Sequence, residues 1–197
     1  MSKKSTSATI LILFLALTFS VIGACFMTFV YKDTKIEFDD IKVIAVTGIE
    51  VFDDEKMTYK INKLKLSDMK LGLKPATGEL DPETKIPSTI TDEGTSEGYY
   101  ETIYVKSSSA FKVVINNIEI DNNKDESKAN DEREYIFVSI KGVADSTKSL
   151  EQNEVQLASF DGAEVPQKLT FLFWLDSLSG EELVGSKISF DINLVAI

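Results

Sequence analysis

One segment constrains this chain more than any other. Between Ile10 and Val30 lie 21 residues without a single charge, most of them large and apolar. As a helix they extend about 31 Å at ~1.5 Å per residue, the thickness of a bilayer's hydrocarbon core. Residues 1–9 are polar and carry Lys3 and Lys4, and charge resumes at once with Lys32, Asp33, Lys35 and Glu37. Lysines ahead of a span hold the N-terminus in the cytoplasm, which places everything after Tyr31 outside. Segment 10–31 is therefore read as a transmembrane anchor of a single-pass cell-membrane protein.

Two other readings stay open. A cleaved secretory signal has a slightly shorter apolar stretch of the same kind. Ile22-Gly23-Ala24-Cys25 is similar to a bacterial lipobox, although Phe26, Met27, Phe29 and Val30 follow it where lipoproteins turn polar. All three predict export. A buried core helix is the remaining alternative, but such a helix does not lack polar residues on every face.

Two of the 21 basic residues precede the run, leaving 19 against 32 acidic residues beyond it. That balance argues against nucleic acid as a partner, because phosphate neutralisation needs clustered Lys and Arg. The chain has no histidine, and Cys25 is its only cysteine. Ser-His-Asp and Cys-His catalysis, Cys/His zinc sites and an internal disulfide are excluded. There is no phosphate-binding P-loop, no G-x-G-x-x-G, no G-x-S-x-G and no internal repeat. The expectation is a protein that is not an enzyme and holds no cofactor, with a protein partner or self-association.

The exported part reads as strands. Residues 32–66 hold N-terminal strands: Ile41 to Phe52 is rich in Ile and Val and breaks near Gly48. Met57, Tyr59 and Ile61 alternate with polar neighbours, then the apolar set shifts to Leu64 and Leu66, which predicts a bulge at Asn62-Lys63. Residues 67–98 contain three of the four prolines and four glycines. They read as a long loop or linker, with a short strand near Ile86 to Ile90, and as the best boundary in the chain.

Residues 99–197 read as the core of the fold. Tyr99, Ile103 and Val105 face one way, and Tyr100, Thr102 and Tyr104 the other. Ser107-Ser108-Ser109 is a turn. Phe111, Val113 and Ile115, then Ile136, Val138 and Ile140, alternate in the same manner, and Val155 and Leu157 mark a weaker strand. Leu169 to Leu175 is apolar on both faces, as in a central buried strand. Ile188 to Ala196 alternates most strictly, and no proline interrupts these runs. The fold class predicted is an all-β antiparallel sandwich, with Phe171, Phe173, Ile188, Phe190 and Ile192 packed between two sheets. Asp176 to Val184 is long enough for one helical turn.

Trp174-Leu175-Asp176 ends an apolar strand, and the segment Ser177 to Phe190 leads through Gly180 and Gly185 into the last one. That tail resembles the C-terminal part of the TasA/camelysin family of exported bacterial proteins, where W-L-E/D precedes a loop, a glycine and a closing strand. Tyr99 to Val105 with Ser107 to Val113 is similar to the first core strand pair of those proteins. The resemblance covers Tyr99 to Ile197 and implies a jelly-roll sandwich and a cell-surface or matrix role. The metalloprotease activity attached to some camelysins is not supported in a chain without histidine.

One polar run has the spacing of a calcium loop. Asp121, Asn123 and Asp125 stand at positions 1, 3 and 5, and Glu132 at position 12. Glu126 stands where such loops need glycine, and the flanks read as strands, so the run is taken as a solvated acidic hairpin loop with calcium as the alternative. The acidic pairs Asp39-Asp40 and Asp53-Asp54-Glu55 are taken as turns or a solubilising edge, Trp174 as core, and the Tyr100/Tyr104 face as either a binding surface or a second buried face. The loop reading predicts equal melting temperatures for the full-length chain in millimolar calcium and magnesium at matched ionic strength. A calcium-specific rise that disappears in Asp121→Ala/Asp125→Ala establishes the ion site instead.

Overall fold

The computed structural model describes residues 37–64, 76–90, 97–121, 131–177, 183 and 185–197. The chain divides into two units, Met1–Thr34 and Lys35–Ile197, and all described residues belong to the second. The run Ile10 to Val30, Cys25 and most of 176–184 lie outside them. Among the described residues no helix is long and apolar enough to cross a membrane.

Among the described residues ten strands follow in order: β1 Glu37–Phe38, β2 Lys42–Ala45, β3 Ile49–Phe52, β4 Gly98–Ser107, β5 Phe111–Asp121, β6 Ile136–Ile140, β7 Lys148–Ser149, β8 Glu154–Phe160, β9 Ala163–Leu175 and β10 Lys187–Ala196. They form two sheets. Sheet A has the order β1–β10–β5–β8, with β2 also on β10, and sheet B has the order β3–β4–β9–β6–β7. The inward residues of both sheets share one core, so this is a β-sandwich. Phe38, Phe173 and Phe190 join the sheets, with ring centroids 5.6 to 6.2 Å apart. The five residues expected between the sheets are each at most 1% exposed.

Two pairings differ from the antiparallel expectation: β1 and β2 run parallel to β10. They form one edge strand broken at Asp39–Ile41, where Asp40 takes a φ of 51° and Ile41 tucks fully into the core. The turn after β2 then carries the chain from sheet A to sheet B, and Gly48 supplies the φ of +96° it requires.

The phase shift near Asn62-Lys63 is not a bulge inside a strand. Residues 59–64 cross from one sheet edge to the other. Asp53 N and Ile61 N donate to Tyr59 O and Val51 O on the β3 side, and Val43 N and Leu64 N donate to Asn62 O and Ile41 O on the β2 side. The apolar pattern changes phase because the partner sheet changes.

A real bulge sits in β5. Asp191 pairs with Asn116 and Ser189 with Glu119, so two residues of β5 oppose Phe190 alone. Asn117 adopts a φ of 51° there, a conformation asparagine tolerates better than most residues. This keeps Phe111, Val113 and Ile115, and then Ile118 and Ile120, on the core side.

The stretch read as a linker does not separate two cores, because strands on both sides of it enter the same two sheets. Its described part, 76–90, is a strap laid over the outer face of sheet B. Ala76, Ile86 and Ile90 pack on Leu172, Trp174 and Phe137. Ala76 N donates to Leu175 O at 2.9 Å, and Thr147 Oγ1 donates to Thr84 O. The strand expected at 86–90 is reduced to one bridge, Leu80 to Pro87. The strap exists because β9 is apolar on both faces, and each face has to leave water.

β9 also begins earlier than expected and takes in Pro166. Gln167 pairs with Val105 but Ala163 with Ser107, so Pro166 lies in a bulge where no ladder donor is needed. Gly162 just before it packs against the β4–β5 connection, and a Cβ there would lie 2.4 Å from Ser108 O.

Truncating Phe190 to Ala removes a ring that touches both sheets and is expected to cost about 3–5 kcal/mol. Denaturant midpoints of the two proteins check this. A loss below about 1 kcal/mol would contradict the packing described.

Candidate functional site

β4 shows which side chains the sandwich leaves outside. Tyr99, Ile103 and Val105 point into the core, and Tyr100, Thr102, Tyr104 and Lys106 alternate outward. Their cross-strand partners lie on the same face: Leu172, Thr170 and Lys168 of β9, and Phe52 and Glu50 of β3. The strap covers the β9–β6 half of this face and leaves the β3–β4 half open. Tyr100 is 39% exposed. On this half Tyr100 is exposed, Tyr104 is half-buried and its partner Phe52 is buried, so the Tyr100/Tyr104 face is partly open to solvent.

Charge on the open half is mostly positive. Lys60 is hydrogen-bonded to Glu50 and sits over the Phe52 ring, 6.0 Å from its centroid. That hydrogen bond, helped by the Lys60 charge, holds the Glu50 carboxyl below its usual range. Lys106 and Lys168 are exposed beside it. Thr102 and Thr170 share a hydrogen bond of 2.8 Å in the middle of the row.

Around the sheet edge, β2, β3 and residues 60–63 line an open cleft of about 550 Å³. Asp40 bridges two of its lysines, Lys42 at 3.1 Å and Lys63 at 3.7 Å. The hydrogen bond to Asp40 raises the Lys42 pKa, and the charges of Asp40 and Asp191 add to it. Ile44, 43% exposed, forms an apolar lip. The cleft's volume is within the range of ligand sites, but its charges are already paired with each other.

Sequence reasoning missed this cleft. Its lysines lie at 42, 60 and 63, and only the crossing segment brings 60–63 beside β2. The charge signal was present: Lys56, Lys60 and Lys63 are three cations in eight residues of an acidic chain.

Asp53-Asp54-Glu55 forms a turn, and Asp39-Asp40 lies in the break between β1 and β2 on the edge of sheet A. Asp54 Oδ1 accepts from Thr58 N at 2.7 Å and Tyr59 N at 3.4 Å. Burial pushes its carboxyl up, but these hydrogen bonds outweigh burial and leave it below the usual value. Asp39 lies 4.0 Å from Lys187. Trp174 is 2% exposed and stacks on Phe137 at 5.7 Å, so it is packing and not a ligand platform.

Of the four calcium-spaced residues, Asn123 and Asp125 lie outside the described residues. Asp121 is exposed at the end of β5, and Glu132 is 4% exposed in the 3-10 turn Asp131–Tyr135 that leads into β6. The loop therefore passes from sheet A to sheet B and is not a hairpin. Among the described residues no three acidic or cysteine side chains cluster closely enough for a metal ion. On the outside of sheet A, Asp191 accepts from Asn117 Nδ2 at 2.6 Å, and Asn193 donates to Asn116 Oδ1 at 2.7 Å.

No family model matches the chain, and no curated protein matches it in sequence.

Tyr99 contrasts with its outward neighbour. It is 5% exposed, and its hydroxyl has no hydrogen-bond partner among the described residues. Burial, aided by the Glu37 charge, pushes its pKa from 10.0 up to about 12. The folded protein keeps this proton after the unfolded chain has lost it. The stabilisation is thus complete below pH 10 and is lost as pH rises from about 10 to about 12. Tyr99→Phe is expected to be neutral or stabilising at pH 7 and to lose less stability than wild type at pH 11. Equal losses in denaturant unfolding would refute this role.

Proposed function

We infer that this chain is an exported, non-enzymatic β-sandwich protein held by one membrane span, with a structural or adhesive role at a bacterial cell surface or matrix. The observation that carries this reading is the junction after Val30. An uncharged run of bilayer length ends, charge resumes at Lys32, and the first strand begins at Glu37. Two cytoplasmic-side lysines orient the run and leave the acidic remainder outside.

A jelly-roll arrangement is part of the proposal. The orders β2–β10–β5–β8 and β4–β9–β6–β7, with the chain changing sheet between most consecutive strands, support it. The short β3 is an addition to that plan, and β2 departs from it by running parallel to β10. The resemblance of Tyr99 to Ile197 to the TasA/camelysin family supports the same location and role.

A second reading, a ligand- or partner-binding accessory module of a cell-envelope complex with calcium as a tuning ion, is favoured by the cleft between β2 and β3. Fibre or matrix association of extracted protein supports the first reading, and a monodisperse protein with one partner the second.

Protease added to intact cells is expected to remove the bulk of the protein, and the membrane-fraction protein is expected to retain Ile10 to Val30 by intact mass. Protection of the C-terminal half until the membrane is opened would overturn the topology. A mass ending at a lipidated Cys25 or beyond the run would replace the anchor with one of its alternatives.

A further inference from the structure

We propose that the open half of the outer face of sheet B is a binding platform for an anionic polysaccharide. Four features point to this ligand class. The first is charge. In a chain of net charge −11, the described residues of this face include Lys106 and Lys168 together with the ion pair Lys60–Glu50. A local positive field on an acidic molecule attracts a polyanion.

The second feature is shape. β4 keeps an unbroken register with β9 from Gly98 to Val105. Tyr100, Thr102, Tyr104 and Lys106 therefore stand in a row about 20 Å long at ~3.4 Å per residue. The face is open and elongated, suited to an extended chain more than to a small molecule enclosed on all sides.

The third feature is the surface chemistry. Tyr100 and Tyr104 offer apolar ring surface with a polar tip, which suits the mixed apolar and hydroxyl faces of a sugar ring. The Thr102–Thr170 hydroxyl pair adds donors and acceptors between them. The fourth is the backbone. From Tyr104 to Ser107, β4 lies between β3 and β9 and pairs with both, so this part of the row offers a peptide no strand edge.

The identity of the polymer as a surface ligand rests on the adhesive reading above, but the platform is tested separately from location. Full-length chain is run in native gels containing polygalacturonate, a neutral dextran, or polygalacturonate with single-stranded oligothymidylate as competitor. Retardation by polygalacturonate alone, undiminished by the oligonucleotide, is expected. Tyr100→Ala/Tyr104→Ala should weaken it roughly tenfold with its salt dependence kept. Lys106→Gln/Lys168→Gln should weaken it roughly fivefold or more and flatten the salt dependence. The lysine pair is exposed, so its melting temperature should stay within a few degrees of wild type and the variant keeps the test valid if the tyrosine pair unfolds. No retardation, equal retardation by dextran, displacement by the oligonucleotide, or wild-type affinity in the lysine variant would each overturn the platform. Binding by a chain that resists protease on intact cells would overturn the adhesive reading and leave the platform standing.

Discussion

β9 is the strand on which the rest depends. It runs through the middle of sheet B with Leu169, Phe171, Phe173 and Leu175 on one face and Leu172 and Trp174 on the other. A strand apolar on both sides has to be covered twice. Sheet A covers the inner face through Phe38 and Phe190. The outer face has no second sheet to meet, and a stretch rich in proline and glycine covers it instead. The strap is held by few apolar side chains and a handful of hydrogen bonds, which places it among the parts of the molecule that open most easily.

The same economy governs the sheet edges. An exposed edge invites pairing with other chains. On one side of this sandwich the two edges, β2 and β3, are linked by residues 59–64, which donate one backbone hydrogen bond and accept one on each side. The crossing seals part of each edge and opens the lysine-lined cleft beside it. Bulges at Asn117, Leu157 and Pro166 adjust the strands further, turning them so that both sheets keep their apolar residues facing inward.

The elements legible in the sequence were those with a strict period of two. β4, β6 and β10 emerged with their buried faces correctly assigned, because alternation over five or more residues specifies a face. What escaped was set by tertiary partners. β1 is two residues long and exists only because β10 offers it an edge. The strap has no period, since its apolar residues answer to Trp174 and Leu172 and not to a ladder of their own. Met57 to Leu64 has a pattern that local reasoning took for one strand, yet its two halves belong to different sheets. The outward row of β4 was visible as residues, but its openness depended on how far the strap reached. The cleft was invisible for a related reason: Lys42 and Lys63 are 21 positions apart and meet only through Asp40.

The parallel edge strand has a mechanical consequence. β1 enters at one end of the sandwich beside Lys187, and β10 leaves at the other end beyond Leu194. A pull between the start and the finish of this unit acts along the β1/β2–β10 ladder, sliding the strands lengthwise. Its six residue pairs are then strained together instead of being peeled one at a time. Forced opening is a matter of rate, set by the barrier along the pulling direction. In that direction the first and last strands form a clamp, so the unit resists tension between its two ends more than its modest edge strand would indicate.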